Sequence, residues 1–476
     1  MTDRALTRRS VLVSGAAGAL AWAMRPSGAR GLDSRPNIFL AVADDWGYPH
    51  AGAYGYPAIK TPAFDRVAAE GALFRRAFCA APTCTASRGA ILTGQAPHRL
   101  DEGANLWSFL PAALDVYPDL LEAAGYRVGK MRKGWGPGVL GERTRDPAGP
   151  DFPSFDEFLS GQPAQKPFCF WFGSSDPHRP YSRTFAAASG IDPQTVVVPP
   201  YLPDVREIRT DIVGYLAEVQ RFDTELAHAL ELLDQRGLAN NTLVVVTGDN
   251  GWPFPRAKAN AYDSGARQPL AIRWPAKVAP GQVIQRLTTL TDVAPTFMEA
   301  SGLPVPSTMT GQSLLPALSG SATQRAFVVI ERERHAKSRP PNLSYPVRAL
   351  RTKRWLYIRN FFPGRWPAGN PDYFGSQGFF SDIDAGPTKT QLLLNRDQPT
   401  FAPSFHLATD RRGAEELYDV AADPHSLVDL SANPQHAQIK ADLAAQLQRW
   451  MRRTADRRAV DPQTTFWDDA EYFGNS

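Results

Sequence analysis

Three short apolar runs constrain this chain more than anything else in it. They are Asn37-Ile38-Phe39-Leu40-Ala41-Val42-Ala43, Pro167-Phe168-Cys169-Phe170-Trp171-Phe172 and Thr242-Leu243-Val244-Val245-Val246. A continuous apolar run of this length is how a strand buried on both faces reads. Each run ends in polar residues: Asp44-Asp45, then Ser174-Ser175-Asp176-Pro177-His178, then Thr247-Gly248-Asp249-Asn250-Gly251. Helical patterns lie between them, over Thr61 to Phe74 (opening on Thr-Pro), Asp115 to Ala124 and Asp211 to Leu238. Strands alternating with helices predict an α/β fold, a large mostly parallel sheet sandwiched by helices. Ligands of such sheets sit beyond the carboxyl ends of the strands. Any one of the polar clusters alone reads as a turn or a helix cap. Together they bring Asp, Asp, His, Asp and Asn to one edge.

At 476 residues the chain exceeds one compact core, so a smaller second domain is expected. The texture changes near Tyr345. Residues 36–345 read as one large α/β domain, and 346–476 as a C-terminal α+β subdomain with an antiparallel sheet. Within it, Val347 to Asn360 reads as two strands around Lys353-Arg354, and Glu415 to Leu430 as a strand and turn. Gln435 to Ala455 reads as an amphipathic helix, and Phe362 to Thr400, rich in Pro, Gly and Asp, as loop. Residues 1–29 pair Arg8-Arg9 with a short apolar run and small-residue cleavage positions, the pattern of a twin-arginine-type signal peptide. The expected location is periplasmic or secreted, reached through export machinery. No later stretch is long and apolar enough to anchor the mature chain in a membrane. Arg4, Arg8, Arg9 and Arg25 against Asp3 carry +3 of the net +4, so nothing predicts a nucleic-acid surface. Three cysteines exclude a disulfide scaffold. Cys79 and Cys169 read as buried thiols, with a bridge between them left open.

The third cysteine stands in Ala81-Pro82-Thr83-Cys84-Thr85-Ala86-Ser87-Arg88, followed by Gly89-Ala90-Ile91-Leu92-Thr93-Gly94. This resembles the type I sulfatase signature Cys-x-Pro/Ala-x-Arg with its trailing Leu-Thr-Gly. The helix Thr61-Pro62-x-Phe64-Asp65-Arg66-Val67-Ala68, the clusters Asp44-Asp45, Asp176-Pro177-His178-Arg179-Pro180 and Asp249-Asn250-Gly251, and the late segment Glu416-Leu417-Tyr418-Asp419-Val420 match in family order. The resemblance implies the alkaline-phosphatase-like fold, and hydrolysis of a sulfate ester or N-sulfate. It also implies a Cys84 oxidised to formylglycine by a maturation enzyme, and a calcium ion. Asp44, Asp45, Asp249 and Asn250 are all oxygen donors, a set that independently suits calcium or magnesium rather than zinc. In the family, formylglycine from Cys84 adds an oxygen to that metal, and its hydrate attacks sulfur.

The same resemblance assigns further roles. Arg88 would hold the diol, and Lys133 and Lys258 would bind sulfate, with Lys130 the alternative to Lys133. His178 would protonate the leaving group or bind sulfate. Trp135 stands where the family carries a histidine, and tryptophan cannot accept a proton. Arg334 and His335 follow a predicted strand and are read as substrate contacts. The segment Asp382 to Lys389 reads either as a sugar contact or as a solvated loop. Gly251-Trp252-Pro253-Phe254-Pro255 and Lys133-Gly134-Trp135-Gly136-Pro137-Gly138 resemble the N-sulfoglucosamine sulfohydrolase branch, which implies a saccharide substrate. Two alternatives remain open: a phosphonate or phosphate ester hydrolase of the same superfamily, and a non-catalytic anion- or glycan-binding protein.

Overall fold

The strand Asn37–Ala43 lies inside a seven-stranded sheet in the computed structural model, which describes residues 35–321 and 323–474. The expected signal segment 1–29 lies outside the described residues. The spatial order is Arg127–Arg132, Phe168–Gly173, Asn37–Ala43, Thr242–Gly248, Leu270–Arg273, Ala72–Phe74 and Gln282–Ile284. The first four strands run parallel, Leu270–Arg273 is antiparallel to both its neighbours, and the last pair is parallel again. The mostly parallel expectation holds, and the three apolar runs are adjacent. Leu40 stands opposite Trp171 on one side and Val245 on the other.

Alternation along these strands builds two cores. Ile38, Leu40, Val42, Cys169, Trp171, Leu243 and Val245 face helices Cys84–Thr93, Tyr117–Ala123 and Val293–Ala300. Phe39, Ala41, Phe168, Phe170, Phe172, Val244 and Val246 face Pro62–Ala69, Phe155–Ser160 and the long helix Arg206–Gln235. Covering both faces removes nearly all of these side chains from water, at roughly 1.5–3 kcal/mol for each large one. The helix predicted to run from Thr61 to Phe74 stops at Ala69, and Ala72–Phe74 is a strand. Gly71 makes that switch possible, because a Cβ there would lie 2.1 Å from the Ile272 carbonyl oxygen.

A second sheet of four antiparallel strands is ordered Val328–Arg332, Val347–Arg351, Trp355–Asn360 and Glu415–Asp419. Its first strand comes from before residue 345. Val328, Ile330, Ala349, Leu356 and Ile358 join the main core, while Val329, Leu350, Tyr357 and Leu417 pack under Leu443, Leu447 and Met451 of helix Ala437–Arg453. The stretch read as loop from Phe362 to Thr400 contains helix Pro387–Leu394. Proline at its first turn fits the start of a helix. Its only buried side chains are Thr388, Lys389 and Leu392, which is too little apolar periodicity to read.

Candidate active site

The carboxyl ends of the three central strands converge as the sheet topology requires. Asp44 and Asp45 follow the strand Asn37–Ala43 directly. Asp45 adopts φ +71°, the left-handed region that Asp tolerates at some cost, which turns the chain sharply after Asp44. Asp249 supports that turn by accepting from the Asp45 backbone N–H at 2.9 Å. Cys84 is the first residue of helix Cys84–Thr93, all ten residues of which are buried. Thr83 occupies the N-cap but does not cap with its side chain; its hydroxyl lies 2.8 Å from His335 Nδ1. The positive end of this helix therefore faces the strand ends. Cys84 Sγ sits 3.5 Å from Asp44 Oδ1 and 3.9 Å from Asp45 Oδ1.

Three fixed cations surround the carboxylates. Arg88, one turn along the same helix, donates through Nε to Asp249 Oδ2 at 2.7 Å and through Nη1 to the Lys133 and Gly134 carbonyls. Lys133 Nζ donates to Asp44 Oδ2 at 2.6 Å. Lys258 Nζ donates to Asp45 Oδ2 at 2.7 Å and to Asp384 Oδ2 at 3.1 Å. His178 places Nε2 3.9 Å from Asp45 Oδ2 while its Nδ1 lies 2.6 Å from the Arg179 carbonyl oxygen, which fixes the Nδ1 proton. His178 and Asp384 open onto a cleft of about 1160 Å³ whose walls include Tyr181, Ala186, Ile191, Val213 and Gln377.

Burial works against ionisation of Asp44, but Lys133, His178, Arg88 and Lys258 outweigh it and hold its carboxyl far below the usual range. Asp45 is raised, because burial and the neighbouring Asp44 and Asp384 outweigh Lys258 and His178. Burial pushes the Cys84 thiol well above its ordinary value despite Lys133 and Lys258, so the unmodified side chain is no thiolate at neutral pH.

The donor set fits a hard divalent cation. Asp44, Asp45 and Cys84 place ligand atoms within 4.8 Å of one another. Asn250 donates through Nδ2 to Asp45 Oδ1 and the Gly251 carbonyl, while its Oδ1 is buried with no hydrogen-bond partner. A buried acceptor with no donor is costly, and it suits a cation ligand. Four carboxylates against Arg88, Lys133 and Lys258 leave one net negative charge. A divalent cation turns this into one net positive charge, as an anion substrate needs.

Of the residues expected here, Asp44, Asp45, Cys84, Arg88, Lys133, His178, Asp249, Asn250 and Lys258 come together. Lys130 does not, since its Nζ bonds Asp151 Oδ1 and the Arg132 carbonyl. His335 is brought against Thr83 rather than into the cleft, and burial lowers it to about 4, so it stays neutral. The expectation for Arg334 is corrected: its guanidinium donates to the carbonyls of Ala470 and Glu471. Both residues lie past the end of the strand Val328–Arg332, and their side chains part, Arg334 to the C-terminal segment and His335 to Thr83. Trp135 is buried against Gly89, with its indole N–H unpartnered. Cys79 and Cys169 are separate free thiols. In the segment Asp382 to Lys389, read as a sugar contact or a solvated loop, Asp382 is held by Arg332 and Arg339, while Asp384 reaches Lys258 and joins the site. No described helix is long and apolar enough to cross a membrane.

A family profile described as "Sulfatase" matches residues 36–138 and 152–303, and one described as "N-sulphoglucosamine sulphohydrolase, C-terminal" matches 248–362. The N-sulphoglucosamine sulphohydrolase of Homo sapiens is 30% identical, covering 89% of this chain and 91% of that protein. A protein solved in complex with its substrate D-glucosamine-2-N,6-O-disulfate superposes with a TM-score of 0.62 at 20% identity, over 92% of this chain and all of that one. The phosphonate monoester hydrolase of Agrobacterium radiobacter superposes with a TM-score of 0.65 at 17% identity, over 88% of this chain and 96% of that one, a likeness of fold alone.

Proposed function

We propose that this chain, which belongs to the sulfatase family and hydrolyses sulfate esters or N-sulfates, acts on a sulfated saccharide with an N-sulfoglucosamine-like unit. The observation that carries the reading is Cys84 at the N-terminal end of a buried helix, in contact with Asp44 and Asp45, which Lys133 and Lys258 in turn hold. Likeness to the human N-sulphoglucosamine sulphohydrolase over nearly the whole chain supports the sugar, as does a cleft roomy enough for one.

In this reading Cys84 is converted to formylglycine by a maturation enzyme, and Asp44, Asp45, Asp249 and Asn250 hold calcium, or magnesium in its place. The modified side chain, hydrated, supplies an oxygen nucleophile where the buried thiol offers none, and the cation supplies positive charge for the sulfate oxygens. The rest of the work falls to this chain's own groups. Lys133 and Lys258 bind and orient the sulfate. Both are kept protonated by nearby carboxylates, which outweigh the burial that opposes their charge. Arg88 is anchored on Asp249 and two carbonyls, and keeps Nη2, 3.6 Å from Asp44 Oδ1, without a hydrogen bond. That group is poised for the oxygen at position 84. His178, with its Nδ1 proton committed to the Arg179 carbonyl, presents Nε2 to the cleft, and it is from the doubly protonated ring that Nε2 gives a proton to the leaving atom. Trp135 takes no part in proton transfer. The N-terminal segment directs export to the periplasm or beyond.

The test is sulfate release from N-sulfoglucosamine, with an aryl sulfate and an aryl phosphonate alongside and Cys84→Ala as control. Turnover of the N-sulfate that is abolished in the control is expected. Turnover of the phosphonate alone would contradict it.

A further inference from the structure

Asp384 stands where a carboxylate works against the site's main task. It belongs to the C-terminal half of the chain and lies one contact beyond Lys258, with Nζ of that lysine shared between Asp45 Oδ2 and Asp384 Oδ2. A sulfate bound by Lys258 meets the Asp384 charge as a repulsion. The placement is nonetheless firmly built. Two residues earlier, Asp382 is gripped by the guanidinium groups of Arg332 and Arg339 and accepts from the Ala336 N–H at 2.9 Å. On the other side, Lys389 Nζ donates to the carbonyls of Gln377 at 2.6 Å, Phe380 at 3.2 Å and Ile383 at 2.7 Å. Both ends of the loop carrying Asp384 are thus clamped. Its Oδ2 is taken by Lys258, while its Oδ1 makes no hydrogen bond among the described residues. The residue lines the same cleft as His178 and Tyr181.

We propose that Asp384 selects the leaving group, its Oδ1 accepting a hydrogen bond from a hydroxyl or N–H on the carbon beside the sulfated atom. The inference rests on Lys258 binding sulfate, as in the function proposed above. A sulfate oxygen on Lys258 lies about 2.8 Å from Nζ, and Asp384, which lines the cleft, holds Oδ2 3.1 Å from that same Nζ. A substituent one carbon from the sulfated atom therefore falls within reach. An ionised carboxylate only accepts, so it rewards a donor there and rejects a second sulfate. This gives the costly charge a use: it favours substrates with a free donor beside the group to be removed.

The experiment compares trans-2-hydroxycyclohexyl sulfate with cyclohexyl sulfate by sulfate release from the matured full chain, in wild type, Asp384→Asn and Asp384→Glu. Asp384→Asn matches the wild-type side chain in shape and keeps an oxygen for Lys258, and its melting temperature checks the fold. Wild type is expected to favour the hydroxylated ester, and Asp384→Asn to reduce the ratio of the two kcat/KM values about tenfold or more. Asp384→Glu retains most of the ratio. An unchanged ratio in Asp384→Asn overturns the proposal: if both values fall together, Asp384 only positions Lys258. If wild type releases sulfate from neither ester, the reading of the site itself fails, a result distinct from a lost selectivity.

Discussion

The molecule holds two clusters of buried charge, and they are built in opposite ways. Where the four-stranded sheet meets the segments carrying His98 and Asp456, Arg348 reaches Asp456 Oδ2 at 2.7 Å, Glu333 Oε1 at 2.8 Å and Glu331 Oε2 at 3.3 Å. Arg458 adds a second grip on Glu333 at 2.8 Å, and His98 Nδ1 lies 2.9 Å from Glu331 Oε2. Every carboxylate there has a cationic partner from the chain itself: of the three potential metal ligands His98, Glu331 and Asp456, the two carboxylates already share the Arg348 guanidinium and His98 rests on Glu331. At the strand ends, by contrast, Asn250 Oδ1 and Arg88 Nη2 lack hydrogen-bond partners, Asp45 is in the left-handed region and a carboxylate charge is left over. A satisfied network holds two parts of a chain together. An unsatisfied one is organised around a ligand, at the expense of stability.

The contrast can be broken most sharply at Cys84. Cys84→Ala is expected to lower kcat/KM for a sulfate substrate by about 10⁴-fold or more while leaving the melting temperature almost unmoved. A large stability loss instead would make the strand-end cluster structural. Next in size, exhaustive chelation should remove most of the activity, and added calcium or magnesium should restore it; full activity in the metal-free protein would remove the case for the oxygen-ligand site. Arg348→Ala should behave in the reverse sense to Cys84→Ala. It strips one cation from three buried carboxylates, so a destabilisation of about 3–5 kcal/mol is expected from denaturant unfolding. The smallest effect concerns pH. Burial disfavours the His98 imidazolium, but Glu331 and Asp456 outweigh it and raise His98 above its ordinary 6.5. Its contribution to stability is then complete below pH 6.5 and is lost as pH rises through the raised value. His98→Gln should flatten the stability profile in that window, and a profile unchanged by the substitution would count against a charged His98.

Much of the architecture was legible because both-face burial writes itself as unbroken apolar runs, as in residues 37–43 and 242–246. The site was legible where its residues directly follow those runs, as Asp44, Asp45, Asp249 and Asn250 do. What the sequence left open was supplied from a distance. Asp384 sits in a stretch poor in periodicity, and only the clamps of Lys389, Arg332 and Arg339 bring it to Lys258. Arg334 and His335 are neighbours in sequence with opposite destinations, and the strand-end geometry that separates them has no compositional trace. The strand Val328–Arg332 looked like part of the large domain because its partner strand lies beyond a loop of 14 residues, 333–346.

The proposed function turns on conversion of Cys84 from a buried thiol to formylglycine. Tandem mass spectrometry of the tryptic peptide Ala77 to Arg88, from active protein made in its own host, tests it directly, with fragment ions separating Cys79 from Cys84. An aldehyde at Cys84 beside an intact Cys79 thiol is the expected result. A plain thiol at both positions, in protein that still releases sulfate, would contradict it.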